Sequence, residues 1–271
     1  MQVRLEGETD FAGFRAHARA LLAAETPPDS VQWSTQAGNE DLFSEVVIAP
    51  AVANAAVPLA VPASFLALCE SVVLHRDPQR FALLYRLLWR LAREPALRHD
   101  PLDADMLRAR DMARAVGRDI HKMRAFVRFR QVEDGDPAGP LHVAWFEPEH
   151  HIARANAPWF MRRFAQMRWA ILTPDCCAQW RPGGALEFSP GVARDQAPPA
   201  DAGEQLWLTY YRSIFNPARL KLAMMQKEMP RKYWRNLPEA SLIASLAAQA
   251  QERSGAMIEQ APTTAARRFT R

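Results

Sequence analysis

The apolar period of this chain changes at Ala125, and that change excludes an all-helical fold. From Ala104 to Met123 the residues Met106, Ala109, Met112, Ala113, Val116, Ile120 and Met123 recur at helical spacing. From Ala125 to Val132 the chain alternates like a strand: Ala125, Val127 and Phe129 share one face, and Phe126, Arg128 and Arg130 the other. A turn at Gly135–Asp136–Pro137–Ala138–Gly139–Pro140 leads to a return strand within His142–Glu147. A helix over Ala153–Gln166 and a strand over Trp169–Thr173 complete a ββαβ section. It lacks the regular βα alternation of a dinucleotide-binding fold.

Outside this section the spacing is mostly helical. A first helix carries Phe11, Phe14, Leu21 and Leu22 and stops before Thr26–Pro27–Pro28. Others fit Ala63–His75 and Pro78–Arg93, the second with Asp77 as cap and Pro78 in the first turn. A short strand fits Glu45–Ile48. Past Ala197–Pro198–Pro199, one stripe runs through Trp207, Tyr210, Tyr211 and Ile214, and another through Leu242, Ile243, Leu246 and Ala250. The expected class is therefore α+β, mainly helical, with a small mixed sheet in the middle of the chain. One mixed domain is expected over 1–255, helical in 1–124 and 200–255, with the sheet within 125–190. Residues 256–271 read as a tail or interdomain linker.

Charge is uneven. Residues 1–100 hold 9 Lys+Arg and 12 Asp+Glu, a net of −3, whereas residues 101–271 hold 25 and 18, a net of +7. The second half is the one suited to a polyanion. Only four lysines occur against 30 arginines, and Lys221, Lys227 and Lys232 fall in one short run. No run approaches the roughly 20 apolar residues of a membrane span, and the N-terminus shows no apolar signal region. A cytoplasmic location without membrane contact is the expectation.

Four groups of residues carry candidate chemistry. Asn216–Pro217 reads as a helix cap and first helical residue, which puts Arg219 and Lys221 in a first turn where the helix dipole disfavours cations. A bound phosphate would reverse that penalty. Downstream, Lys232, Tyr233 and Trp234 could hold a backbone and stack an exposed base. Asp119, His121, Lys122 and Arg124 sit at the helix-to-strand junction, where His121 could transfer a proton near neutral pH. Arg128 and Arg130 beside Phe126 suit stacked bases and phosphates, and a last group comprises Trp145, Glu147, His150, Arg163 and Arg168, with Glu147 a candidate catalytic carboxylate. Each group also has a plain structural explanation as a solvated or packed face.

Two of these segments carry a resemblance. Asp119–Phe129 and Tyr210–Ala240 resemble the bacterial family labelled "probable DNA metabolism protein", found alone or fused ahead of a UdgX-type uracil-DNA glycosylase. The resemblance covers residues 1–255 and implies a DNA-repair setting, with no reaction established for the family. It implies DNA, single-stranded or damaged, as a partner, and a uracil-DNA glycosylase-type domain or a radical-SAM repair enzyme as another.

Several activities lack their residues. There is no Walker loop, G-x-G-x-x-G, H-E-x-x-H or nucleophile elbow, and no C-x₃-C-x₂-C cluster for radical-SAM chemistry. Three cysteines fall short of an all-cysteine iron–sulfur cluster. Cys176 and Cys177 could ligate a metal with Asp175 or the His150–His151 pair, but without C-x₂-C spacing two ordinary cysteines are expected, with no metal and no cofactor. The sequence thus points first to a nucleic-acid-binding accessory domain. An enzyme acting on a nucleotide or modified base, with His121 or Glu147 in proton transfer, is one alternative. A protein-interaction scaffold is another.

Overall fold

A computed structural model describes residues 1–35, 61–133, 135–137, 139–197, 228–243 and 248. The fold is α+β and mainly helical, as expected. The chain opens with β1 (Gln2–Leu5), α1 (Phe11–Ala23) and β2 (Gln32–Thr35), and β1 pairs with β2 in parallel. Asp10 caps α1 by accepting from the Gly13 N–H at 2.7 Å. Three more helices follow: α2 (Ala63–Val73), α3 (Arg80–Arg93) and α4 (Ala104–Phe126).

The middle of the chain holds the mixed sheet. Its strands are β3 (Arg130–Val132), β4 (Leu141–Trp145), β5 (Trp169–Leu172), β6 (Cys176–Trp180) and β7 (Glu187–Pro190), side by side in that order. Only β4 and β5 run parallel, and α5 (Ala153–Arg163) makes the crossover between them. The other neighbours are antiparallel. A short helix, α6 (Arg231–Trp234), follows the sheet.

Helix α4 is the common spine. Its 23 residues give a rod of roughly 35 Å. Met106, Ala109 and Met112 pack into one apolar cluster with β1, α1, α2 and α3. Val116 and Met123 pack into a second, built from the sheet, α5 and the segment around Tyr233 and Leu237.

The period change is misplaced by a few residues in the sequence reading. Ala125 and Phe126 belong to α4, and only Arg130–Val132 pairs as a strand. The physical reason is a cap. Arg128 turns back and donates from Nη1 to the carbonyls of Ala125 at 2.7 Å and Val127 at 3.2 Å, where helix-end carbonyls lack intrahelical partners. Phe126 therefore packs on Tyr233 at 5.4 Å instead of joining a strand face with Arg128 and Arg130. At the start of α3, Asp77 accepts from the Gln79 N–H at 2.8 Å, so the helix begins two residues later than Pro78. Strands β1, β2 and β6 are additions to the sequence reading, and β7 falls where Gly183–Gly184 and Ser189–Pro190–Gly191 bound a short strand or loop. The proposed Glu45–Ile48 strand and the Trp207–Ile214 stripe lie outside the described residues, as do Leu246 and Ala250.

Candidate functional site

Strand alternation puts Arg130, its partner Val143, and Trp145 on one face of the sheet. There they line a pocket of about 140 Å³ with Arg128, Arg194, Arg235 and Asn236. Four guanidinium groups and one indole thus converge from four separate segments. Glu147 holds two of them: it pairs with Arg194 at 3.3 Å and with Arg235, and it accepts from Trp145 Nε1 at 2.8 Å. Arg128 pairs with buried Glu239 at 2.8 Å. Both polar atoms of the Asn236 side chain are buried without a hydrogen-bond partner. Such a pocket offers planar, charge-assisted donors of the kind that grip phosphate or carboxylate oxygens.

Behind it, residues from the two resembling segments touch. Tyr233 donates its hydroxyl to Asp119 at 3.2 Å, and the Lys122 amine sits 6.0 Å from the Tyr233 ring centre. Asp119 is 1% exposed and also accepts from the His150 N–H at 2.9 Å. Burial raises its pKa, opposed by those two donors and by Lys232 and Lys122. Burial likewise lowers the Lys232 pKa, and its amine pairs with Glu149.

This placement corrects one expectation and qualifies others. Tyr233 is 2% exposed and stacks on Phe146 at 5.3 Å, so it packs the core and offers no face to a base. Trp234 donates to the Met229 carbonyl at 2.8 Å. His121 is exposed on α4 and lines neither cavity described in this section. Glu147 is fully engaged by Trp145, Arg194 and Arg235. Arg124 reaches Asn156 at 2.7 Å and lies 5.1 Å over Trp159. The expected grouping of Trp145, Glu147, His150, Arg163 and Arg168 divides three ways. The first two adjoin the arginine pocket, and His150 faces a different cleft. Arg163 and Arg168 line a groove at the end of α5, with Arg168 buried against Asp136 at 3.0 Å. Asn216, Arg219 and Lys221 lie outside the described residues. Sequence reasoning missed Arg194, which belongs to no local motif, and passed over Arg235, although it lies within the resembling segment Tyr210–Ala240.

The other cleft, of about 600 Å³, lies between the β1–α1 connection and the sheet. His151 stands in its wall, with Nδ1 3.2 Å from Asp175 and Nε2 3.7 Å from Glu8. Arg76 pairs with Asp175, and Arg80 with Glu8 at 2.6 Å. Burial lowers the His151 pKa against the pull of Asp175 and Glu8. Neighbouring His150 stacks on His75 at 4.2 Å, and burial, reinforced by His75 and Arg76, pushes its pKa down to about 4. Opposite, the Arg154 guanidinium lies 4.2 Å over the Phe188 ring. A close approach shapes the far wall: a Cβ on Gly191 would collide with the Pro174 carbonyl, directly before Asp175 and Cys176. Among the described residues no group of three His, Cys, Asp or Glu side chains is disposed to hold a metal ion. No helix among them is long and apolar enough to cross a membrane.

No curated protein and no solved structure matches the chain. Residues 78–239 match a family described as a domain of unknown function, DUF4130. That span runs from the start of α3 through the sheet to Glu239, and it takes in the arginine pocket with the acid that pairs Arg128. Since the match covers more than half of the sequence, the chain belongs to the DUF4130 family.

Proposed function

We propose that the chain is a DNA-repair-associated accessory domain. It binds single-stranded or damaged DNA and positions it for a fused or separately encoded repair enzyme in the cytoplasm, such as a uracil-DNA glycosylase-type domain or a radical-SAM repair enzyme. The observation that carries this reading is the pocket in which Arg128, Arg130, Arg194 and Arg235 surround Trp145 and Asn236. Its volume suits one phosphate group, and its indole offers a stacking surface beside it. The +7 balance of residues 101–271 supplies the long-range attraction.

Arg194 and Arg235 are the residues to change, because their side chains are 43% and 59% exposed. Replacing both with glutamine should weaken binding of a single-stranded oligonucleotide by about tenfold and flatten its salt slope by about one. Fluorescence anisotropy over a salt series reads both quantities. An unchanged affinity and slope in the folded double variant would overturn the pocket as a DNA contact. Absence of any salt-dependent binding by the wild-type protein would leave the scaffold alternative in its place.

A further inference from the structure

The cleft beside His151, the larger of the two cavities described above, has the make-up of a small-molecule site. Its position is the first indication. His151 follows β4, and Asp175 follows β5, so both sit beyond the carboxyl ends of the two parallel strands. Loops at that edge of a parallel pair are where open sheets present ligand sites. Pairing of Cys176 with Pro190 brings the end of β7 to the same edge.

The lining chemistry is specific. On one side Arg154 and Phe188 form a flat, layered wall, and a planar ligand can stack on either member. On the other side stands His151. With Nδ1 turned to Asp175 at 3.2 Å, its Nε2 remains for a ligand, since Glu8 at 3.7 Å is beyond hydrogen-bond range. Ser189 adds a hydroxyl, while Pro148, Ile152 and Pro190 make the remainder apolar. A cleft of about 600 Å³, mostly apolar with a few directed polar groups, matches a drug-sized or nucleoside-sized ligand. Arg76 and Arg80 already neutralise Asp175 and Glu8, so the wall calls for an uncharged, hydrogen-bonding partner rather than a metal ion.

We propose that this cleft binds a nucleobase or nucleoside, stacked against Arg154 and Phe188 and hydrogen-bonded along one edge by His151. The site is separate from the arginine pocket and stands whether or not that pocket binds DNA.

Cys176 provides a reporter. It lines the cleft, whereas Cys69 and Cys177 are 3% and 1% exposed. Iodoacetamide modification of the native protein, read by mass spectrometry, therefore follows Cys176. Adenosine, guanosine, cytidine, uridine and thymidine are each added at up to about 2 mM. At least one should slow Cys176 modification saturably, by about fivefold or more at the highest concentration. Arg154→Gln and His151→Gln should each abolish that protection while Cys69 and Cys177 stay unmodified, which shows that the fold persists. Protection by none of the five overturns the proposal. So does protection that survives in a folded Arg154→Gln variant, because the nucleoside would then bind elsewhere.

Discussion

The arginines of α3 and the arginines of the pocket are the same residue in opposite electrostatic settings. Along α3 three of the guanidinium groups meet three carboxylates: Glu8 takes Arg80 at 2.6 Å, Asp105 takes Arg86 at 2.7 Å, and Asp103 and Asp105 both reach Arg90. Arg80 is 2% exposed and also donates to the carbonyls of Val73, Asp77 and Glu8. In the pocket, Arg194 and Arg235 divide the single carboxylate of Glu147 between them and stay 43% and 59% exposed. The first arrangement fixes helices; the second keeps cationic surface where a ligand can reach it. A count of charges along the sequence treats the two alike, and only the geometry of their acids separates them.

The comparison breaks first at Arg80. Arg80→Ala removes four donated hydrogen bonds and leaves Glu8 without its cation, so urea denaturation should show a loss of about 3–5 kcal/mol. A loss under 1 kcal/mol would mean that the α3 arginines are no more structural than those of the pocket.

Acidification tests the buried histidines beside Glu8, the partner of Arg80. The folded pKa of His150 lies near 4, against 6.5 for a free imidazole. Its burial lowers the affinity for protons in the folded state, so the unfolded chain binds more protons between those values. Stability should be complete above pH 6.5 and decline as pH falls toward 4, with a slope of at most about 1.4 kcal/mol per pH unit from this residue. His75 and His151, also lowered chiefly by burial, act in the same direction. Thermal melts across that range check the sign, and flat stability would mean that burial of these histidines does not govern the acid response.

Smaller effects sharpen the contrast. Tyr233→Phe deletes the hydroxyl that Asp119 accepts in the core and should cost about 1–2 kcal/mol in the same urea measurement. Arg235→Gln, at an exposed pair, should change stability by no more than about 0.5 kcal/mol. A cost at Arg235 comparable to that at Arg80 would assign the pocket arginines to folding.

Long periodic segments were legible in the sequence, and contacts between distant segments were not. The stripes of α3 and α4 and the ββαβ order of the sheet follow from spacing alone. Strands β1 and β2 have four residues each, too short to show a period, and they gain their stability from each other across α1. The end of α4 was displaced because Ala125 and Phe126 fit either period, and Arg128, a residue beyond the helix, decides between them. In the arginine pocket, Arg128 and Arg130 stood out through their strand-like spacing with Phe126, but Arg194 and Arg235 arrive through folding. In the sequence His151 and Asp175 stand out only as possible metal ligands; the parallel pairing of β4 and β5 is what places their loops side by side.

Gly191 has no functional group, yet it shapes the wall of the cleft beside His151. Its backbone runs so close to the Pro174 carbonyl that only a hydrogen fits between them. Any side chain there must lever the end of β7 away from the loop that carries Asp175 and Cys176. Tolerance to substitution along this wall therefore runs against chemical intuition: the thiol at Cys176 can be exchanged for another small group, while the residue with no side chain is the one that has no substitute.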